Sequence, residues 1–276
     1  RIMTDKPKSD AVPSLGLGTS GRTGDAGMAA ILTAVEIGYR HIDTAQSYGS
    51  EAGVGEAVRR SGIPRSEMFI TTKVADTQLD RTRFMDSVER SLETIGLGPV
   101  DLLLIHWPVK DDVVPLEDYL NALAEAQSRG HTRLIGVSNF PVALLERTEQ
   151  VLGANAIATN QVEIHPHMQA PRLSAYAKSR GLTLTAYRPL GAGAVASDPV
   201  LVRIGEKHGV PAAVISLAFL LASGHGVIPA STSEANLRAN LRASDVALDD
   251  DDMQAIRALH RGERSINPAK SPAWDD

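Results

Sequence analysis

Short apolar runs rich in β-formers begin near Tyr39, Met68, Val100, Thr132, Ala158, Thr183 and Gly226, and most are followed by a stretch whose apolar residues recur every three or four positions. Strand then helix, repeated along one chain, predicts a parallel sheet with helices on its outside. Leu102-Leu103-Leu104-Ile105 and Leu134-Ile135-Gly136-Val137 are apolar without alternation, as strands covered on both faces should be. Ile31, Ala34 and Val35, and later Val88, Leu92 and Ile95, share one helical face. Gly38, Gly62, Gly130 and Gly181 stand where a helix hands over to the next strand. With residues 14–19 as a first strand there are eight βα units, and right-handed crossovers allow a closed barrel or an open doubly wound sheet. Eight units favour closure into a (β/α)8 barrel, which at 276 residues is one domain of ordinary size.

The open-sheet reading has one point in its favour. Gly16-Leu17-Gly18 followed by Gly21 matches the glycine pattern of a dinucleotide-binding turn, with Asp43 as the ribose acid. The remaining repeats do not divide into two halves, so the barrel stands. It is expected to fill residues 1–276 as a single α/β domain, with 1–11 and 261–276 as terminal extensions. The acidic run 249–252 precedes Met253, Ile256 and Leu259, which predicts an extra C-terminal helix with a negatively charged start. Gly262, Pro268 and Pro272 keep the tail, with Trp274, from being another barrel unit.

The chain has no cysteine, which removes thiolate catalysis, cysteine zinc sites and iron–sulfur clusters. A net charge of -5 and a pI near 5.9 argue against a sequence-independent grip on nucleic acid and against anionic membrane. The start is polar and no apolar run approaches the ~20 residues of a membrane span. The chain reads as cytoplasmic.

In a βα barrel, catalytic groups come from the C-terminal ends of the strands. Four ends carry chemistry: the second runs into Asp43 and Tyr48, the third ends at Lys73, the fourth at His106 before Trp107, and the fifth at Ser138-Asn139. Taken singly, each has an ordinary explanation as a turn cap, packing aromatic or solvated cation. Taken together they polarise a carbonyl. Asp43 keeps Lys73 charged, the cation is expected to bring the Tyr48 phenol down from about 10 toward working pH, and a neutral His106 orients the carbonyl oxygen.

These residues resemble the aldo-keto reductase family, from about Val12 to Leu259. Residues 38–51, GYRHIDTAQSYGSE, look like its Asp-and-Tyr signature; 70–73 like its lysine strand; 101–108, DLLLIHWP, like its histidine strand; 136–140, GVSNF, and 160–166, NQVEIHP, fit too. The likeness is to short-loop prokaryotic members of the 2,5-diketo-D-gluconate reductase type. It implies a barrel that reduces aldehydes and ketones, reversibly, with NAD(P)H as cofactor. By that resemblance Tyr48 donates the proton as hydride leaves nicotinamide C4, Lys73 and Asp43 tune it, and His106 orients the substrate. Ser138, Asn139 and Gln161 hold the carboxamide, Tyr187 stacks on the nicotinamide, and Arg188, Pro189, Leu190 and Gly191 form the loop over the pyrophosphate. Thr19, Ile228, Ala230, Ser231, Thr232, Asn236 and Asn240 complete the cofactor site, the last six in the segment 226–240, GVIPASTSEANLRAN.

Two departures stand out. Where NADPH-preferring members carry Lys and Arg against the 2'-phosphate, this chain has Ala230 and Asn236, so NADH is expected to be well accepted. Arg238 and Arg188 are the cations left nearby, and Arg188 is long enough to reach a phosphate from the other side of the cofactor. Ser20 replaces a frequent Trp, which leaves Ser47, Trp107 and Trp274 with Ser20 to shape an open substrate site; Lys110 in the loop after His106 is read as solvated. A small carbonyl compound and a monomeric state are expected. Three other readings remain on the residues alone: a metal-dependent hydrolase using His41, His106, His165 and His167, a Schiff-base aldolase using Lys73, and a non-catalytic nicotinamide-binding sensor or partner. No helical His-x-x-x-His pair supports the first, so no metal site is expected.

Overall fold

The computed structural model describes residues 11–276. Eight parallel strands lie side by side in chain order: β1 (Leu17–Gly18), β2 (His41–Asp43), β3 (Phe69–Val74), β4 (Val100–Ile105), β5 (Thr132–Ser138), β6 (Thr159–Glu163), β7 (Thr183–Tyr187) and β8 (Gly226–Val227). The sheet closes on itself where Val227 N–H donates to the Ser14 carbonyl at 2.7 Å and Gly16 N–H to the Val227 carbonyl at 2.9 Å. The architecture is therefore the expected (β/α)8 barrel.

Each strand is followed by helix: α1 (Gly24–Ile37), α2 (Glu51–Ser61), α3 (Phe84–Ile95), α4 (Leu116–Ser128), α5 (Val142–Leu152), α6 (Pro171–Ser179), then two in the seventh unit, α7 (Pro199–His208) and α8 (Ala212–Ala222), and α9 (Glu234–Leu241). The doubled seventh unit is not visible in the apolar periodicity, because α8 is apolar on nearly all sides and buried through most of its length. Gly38, Gly62, Gly130 and Gly181 all adopt positive φ at helix exits, as placed from the sequence. The acidic run forms α10 (Asp250–Arg257), started by a capping box between Asp249 and Asp252. No single helix among the described residues is long and apolar enough to cross a membrane.

Alternation along the strands sorts the side chains into two environments. Ile70, Leu103 and Ile105 face the helices, whereas Phe69, Leu102 and Leu104 form a separate apolar floor inside the cylinder. Above that floor the inward residues are polar: Asp43, Lys73, Gln161 and Glu163 are all buried. A cylinder apolar at one end and charged at the other confines the chemistry to the C-terminal mouth.

The glycine pattern at the first strand has a packing cause rather than a dinucleotide-binding one. A Cβ on Gly16 would lie 2.6 Å from the His41 Nδ1, and one on Gly18 would lie 2.9 Å from the Ile228 carbonyl oxygen. Both glycines let the strand pack closely against its neighbours, and Gly21, at φ +74°, simply turns the chain in open space.

The tail is also more than an extension. Arg261 N–H donates to the His167 carbonyl at 3.0 Å, while the Asp275 and Asp276 carboxylates accept from Val142 N–H at 2.9 Å and Arg172 N–H at 3.0 Å, capping α5 and α6 from outside their own sequence. Residues 261–276 thus run across the barrel mouth. Apart from Ala11, the N-terminal extension expected over 1–11 lies outside the described residues.

Gly16→Ala should destabilise the fold by about 1–3 kcal/mol in urea unfolding, because the methyl group must displace the His41 ring. Gly21→Ala, strained only by its backbone angle, should lose about 1 kcal/mol.

Candidate active site

Lys73 leaves β3 pointing into the cylinder, with no exposed surface on its side chain. Its ammonium has three protons and three acceptors: the Asp43 carboxylate, the Thr44 carbonyl at 3.0 Å and the Tyr48 hydroxyl at 3.2 Å. The second Asp43 oxygen accepts from the Gln161 amide at 2.7 Å, a contact from β6 on the far side of the barrel. Tyr48 sits in a short turn after β2, its ring 4.6 Å from the Lys73 nitrogen and 5.5 Å from the His106 ring, edge to face. The phenol, ammonium, carboxylate and imidazole expected from the sequence therefore meet at one place.

Their protonation follows from burial and from one another. Burial alone would discharge Lys73, but Asp43 and Tyr48 outweigh it and hold the ammonium above its usual range. Burial pushes His106 down to about 2, with the Lys73 charge adding to the effect, so its imidazole is neutral. For Tyr48 the expectation is reversed. Burial pushes the phenol up by more than Lys73 draws it down, so in the free enzyme it is fully protonated rather than tuned toward neutrality. Because Tyr48 oxygen accepts from Lys73, its own proton is free to point into the cleft.

That cleft has a volume of about 570 Å³ and passes over the ends of β7, β8 and β1. Asp43, Tyr48, His106 and Trp107 form one end, Asn139 and Tyr187 a wall, and Arg188, Pro189 and Leu190 one rim. Thr19, Ser20, Ile228 and Ala230 continue the lining, Thr19 and Ile228 buried and Ser20 and Ala230 exposed. Asn139 donates to the His106 carbonyl at 2.9 Å and accepts from the Tyr187 hydroxyl at 2.7 Å, which fixes the tyrosine ring beside the tetrad. A broad wall, small residues and two guanidiniums fit a nicotinamide dinucleotide.

The chain matches the aldo/keto reductase family over residues 14–261. It belongs to that family. It is 42% identical to the methylglyoxal reductase DkgB of Escherichia coli O157:H7 over 96% of this chain and 100% of the relative. An aldo-keto reductase of Mycolicibacterium vanbaalenii is 36% identical over 92% and 91% of the two chains. Among solved structures, a putative 2,5-diketo-D-gluconic acid reductase B superposes with a TM-score of 0.89 at 40% identity, covering 96% of this chain and 94% of that one. The protein is an oxidoreductase that reduces carbonyl compounds with NAD(P)H.

Not every residue assigned to the reductase's cofactor site lies in the cleft. Ser138 and Gln161 are buried behind it, the serine hydroxyl donating to the Gln161 carbonyl at 2.7 Å. Gly191 packs beside the His165 ring at the rim loop, with φ +55°. Ser231, Thr232 and Asn236 are at the start of α9, beyond Ala230, with Thr232 and Asn236 exposed. Asn240 is buried on α9, near the Tyr39 hydroxyl, which donates to the Leu237 carbonyl at 3.0 Å, and is not among the residues that line the cleft.

On the substrate side, Ser47 lies 3.4 Å from His106 Nδ1 and Ser20 is exposed on the rim. Trp274 stands edge-on to Trp107 at 6.2 Å, with the Arg264 guanidinium 3.9 Å above it, so it buttresses the tryptophan that lines the cleft. Lys110 is exposed, as expected, and also donates to the tail carbonyl of Ala269 at 3.1 Å. His41 is turned to Thr71 low in the barrel, His165 to Glu163 and His167 to Asp198, and among the described residues no three such groups are placed to hold a metal.

Three contributors escape a reading by motif. Arg22 and Ile266 line the cleft, and Glu163 binds the tail that carries Ile266. The Glu163 carboxylate accepts from Ser265 N–H at 2.9 Å, the Ser265 hydroxyl at 2.7 Å, Ile266 N–H at 2.8 Å and His165 at 3.0 Å. Burial opposes its charge, yet these bonds hold it at about 2. The carboxyl was within NQVEIHP, but only the distant tail reveals its partners.

Lys73→Met should lower stability by about 3–5 kcal/mol, since Asp43 is left buried and unpaired. Adding Asp43→Asn should recover part of that loss in the same urea titration; an additive further loss would show that the two groups are not coupled.

Proposed function

We propose that this protein is an NADH-accepting reductase of small, reactive carbonyl compounds, such as 2-oxoaldehydes, with Tyr48 as the proton donor. The observation that carries the chemical assignment is the Tyr48 hydroxyl accepting from the buried Lys73 ammonium at 3.2 Å. When bound, the reduced nicotinamide supplies hydride to the carbonyl carbon. Tyr48 donates its proton to the carbonyl oxygen, and Lys73 stabilises the phenolate left behind. Asp43 keeps that ammonium charged and Gln161 keeps Asp43 aligned. His106, neutral, offers a hydrogen bond that orients the carbonyl oxygen over Tyr48. Asn139 and Tyr187 supply the wall against which the nicotinamide is held.

Two features support the cofactor reading. Ala230 and Asn236 offer no charge to a 2'-phosphate, and Arg238, the cation expected nearest to them, is spent on Glu234 at 2.7 and 2.9 Å. A free 2'-hydroxyl needs only polar neighbours, which Ser231, Thr232 and Asn236 provide. The substrate reading takes its support from the methylglyoxal reductase relatives and from a cleft whose mouth has Ser20 on its rim and Trp107 as its one indole among the described residues. A monomer is supported by the surface, where Val113 and Val202 are the exposed large apolar residues among those described.

Tyr48→Phe should reduce kcat for carbonyl reduction by roughly 100-fold or more while the Kd for NADH stays within about twofold. In the native enzyme kcat for reduction should be flat from about pH 5 to about pH 8. His106 titrates far below that range and Tyr48 above it, so both retain the required proton state throughout. An acid limb near 6.5, the ordinary histidine value, would assign the imidazole a titrating role instead.

Parallel kcat/KM measurements should favour NADH or place the two cofactors close together; a tenfold or larger NADPH preference contradicts the proposal. Ala230→Lys with Asn236→Arg should raise kcat/KM for NADPH by roughly tenfold or more, the worth of a charge-assisted contact.

A further inference from the structure

The neutral His106 ring carries one proton, and which nitrogen holds it decides whether the imidazole can donate into the cleft or only accept there. A carbonyl oxygen can only accept, so orienting the substrate requires the proton on the nitrogen that faces it. The residue is held by its N–H bond to the Val74 carbonyl at 3.0 Å, by the Asn139 amide on its own carbonyl at 2.9 Å, and by the Tyr48 ring lying at 81° to the imidazole. In that pose Nδ1 is turned to the Ser47 hydroxyl at 3.4 Å. Nε2 takes no partner among the described residues and, unlike Nδ1 of His41 and of His165, is not shut away from water. Ser47 and Tyr48 are consecutive in one short turn, Gln46–Tyr48. That turn is pinned on both sides. The Gln46 side chain accepts from Ala75 N–H at 2.9 Å and donates to the Ser87 carbonyl at 3.1 Å, while the buried Ser50 hydroxyl bonds those of Thr44 at 2.8 Å and Thr19 at 2.9 Å. A single anchored turn thus delivers two neighbouring hydroxyls, one to the cleft and one to the imidazole.

The direction of the serine contact follows from its chemistry. Ser47 makes no other hydrogen bond among the described residues, so its proton is free to give. An imidazole nitrogen is a far stronger base than a hydroxyl oxygen, so O–H to Nδ1 is the better pairing than Nδ1–H to the serine. Ser47 is also exposed, and water donating to its oxygen polarises the hydroxyl further toward the ring. Resting on the reading of His106 as the group that orients the carbonyl, we propose that Ser47 is a positioning residue that holds the His106 imidazole in its Nε2–H form. With the proton on Nε2, the ring donates to the carbonyl oxygen that Tyr48 protonates. With it on Nδ1, a lone pair faces that oxygen and competes with it for the Tyr48 proton. The 3.4 Å separation is at the long end of hydrogen bonding, so the serine biases the two tautomers instead of locking one.

The test pairs Ser47→Thr, which keeps the hydroxyl, with Ser47→Val, which has the same shape and lacks it; the position is exposed, so neither strains the core. In protein labelled with nitrogen-15 histidine, the two-bond proton–nitrogen correlation pattern distinguishes the two tautomers, and His106 is assigned by the signals missing from His106→Asn. The native enzyme and Ser47→Thr should show His106 as Nε2–H, whereas Ser47→Val should show a mixture or the Nδ1–H form. In carbonyl reduction kcat/KM should fall about fivefold in Ser47→Val and return to within about twofold of native in Ser47→Thr, with the Kd for NADH unchanged in both. A native His106 in the Nδ1–H form overturns the proposal, as does a Ser47→Val ring that keeps the Nε2–H pattern. In the second case a lower kcat/KM would mean that Ser47 meets the substrate itself. A shifted tautomer with native kcat/KM overturns it too, since the place of the proton would then not govern the reaction. If the native protein reduces no carbonyl compound, the proposed function fails, while the nitrogen-15 spectra still decide what Ser47 does to the ring.

Discussion

A single buried ammonium organises this barrel. Lys73 has no access to water, and an ion so placed is tolerated only if every proton finds an acceptor and the charge is balanced. The acceptors come from β2 and the turn after it, through Asp43, Thr44 and Tyr48, and the balance is kept in line by Gln161 from β6. Because β2 and β6 lie opposite one another in the closed sheet, the Gln161–Asp43 bond can form only across the interior. Closure of the cylinder and assembly of the catalytic group are the same event. The apolar floor of Phe69, Leu102 and Leu104 adds to this by keeping water from beneath the charges.

The physical meaning of the tyrosine's environment changes once geometry is considered. A cation beside a phenol favours the phenolate, but removal from water favours the phenol, and here removal from water is the stronger influence. The free enzyme thus stores the proton rather than sharing it. Lys73 contributes later, as negative charge develops on the Tyr48 oxygen during donation, where a preorganised cation needs no rearrangement to stabilise it. The neutrality of His106 has the same origin: an imidazole in a shielded mouth with a cation nearby remains uncharged and keeps one N–H to give.

Much of this was legible in the sequence because strands and their C-terminal ends have strong local signatures. The apolar runs placed each strand within a few residues, and Asp43, Tyr48, Lys73 and His106 followed from knowing that strand ends gather at one mouth. Information that depends on contacts between distant segments was not legible. Residues 261–276 read as a polar, proline-broken tail, yet Glu163 binds Ser265 and Ile266 a hundred positions away, and nothing local to either segment announces the other. Asn240 lies in the segment read as cofactor-binding, yet it is buried on α9, an exposure that the register of the helix decides and the motif does not. Helix α8, apolar all round, carried no periodicity by which to separate it from α7.

The tail changes how the open site should be understood. Where a large aromatic after the first strand could close the mouth, this chain has exposed Ser20, and the wall is supplied instead by Trp107 held between Trp274 and Lys270 from the tail. That wall hangs on Glu163, whose carboxylate also fixes Ser265 and through it Arg188. One buried acid therefore couples the substrate side of the cleft to the rim that faces the cofactor. The arrangement puts a cost on detaching the tail, since Glu163 would be left charged and stripped of its donors. A mouth built from small residues on one rim and a tethered tail on the other admits varied small carbonyl compounds, while the tetrad beneath, locked by Lys73, keeps the chemistry constant.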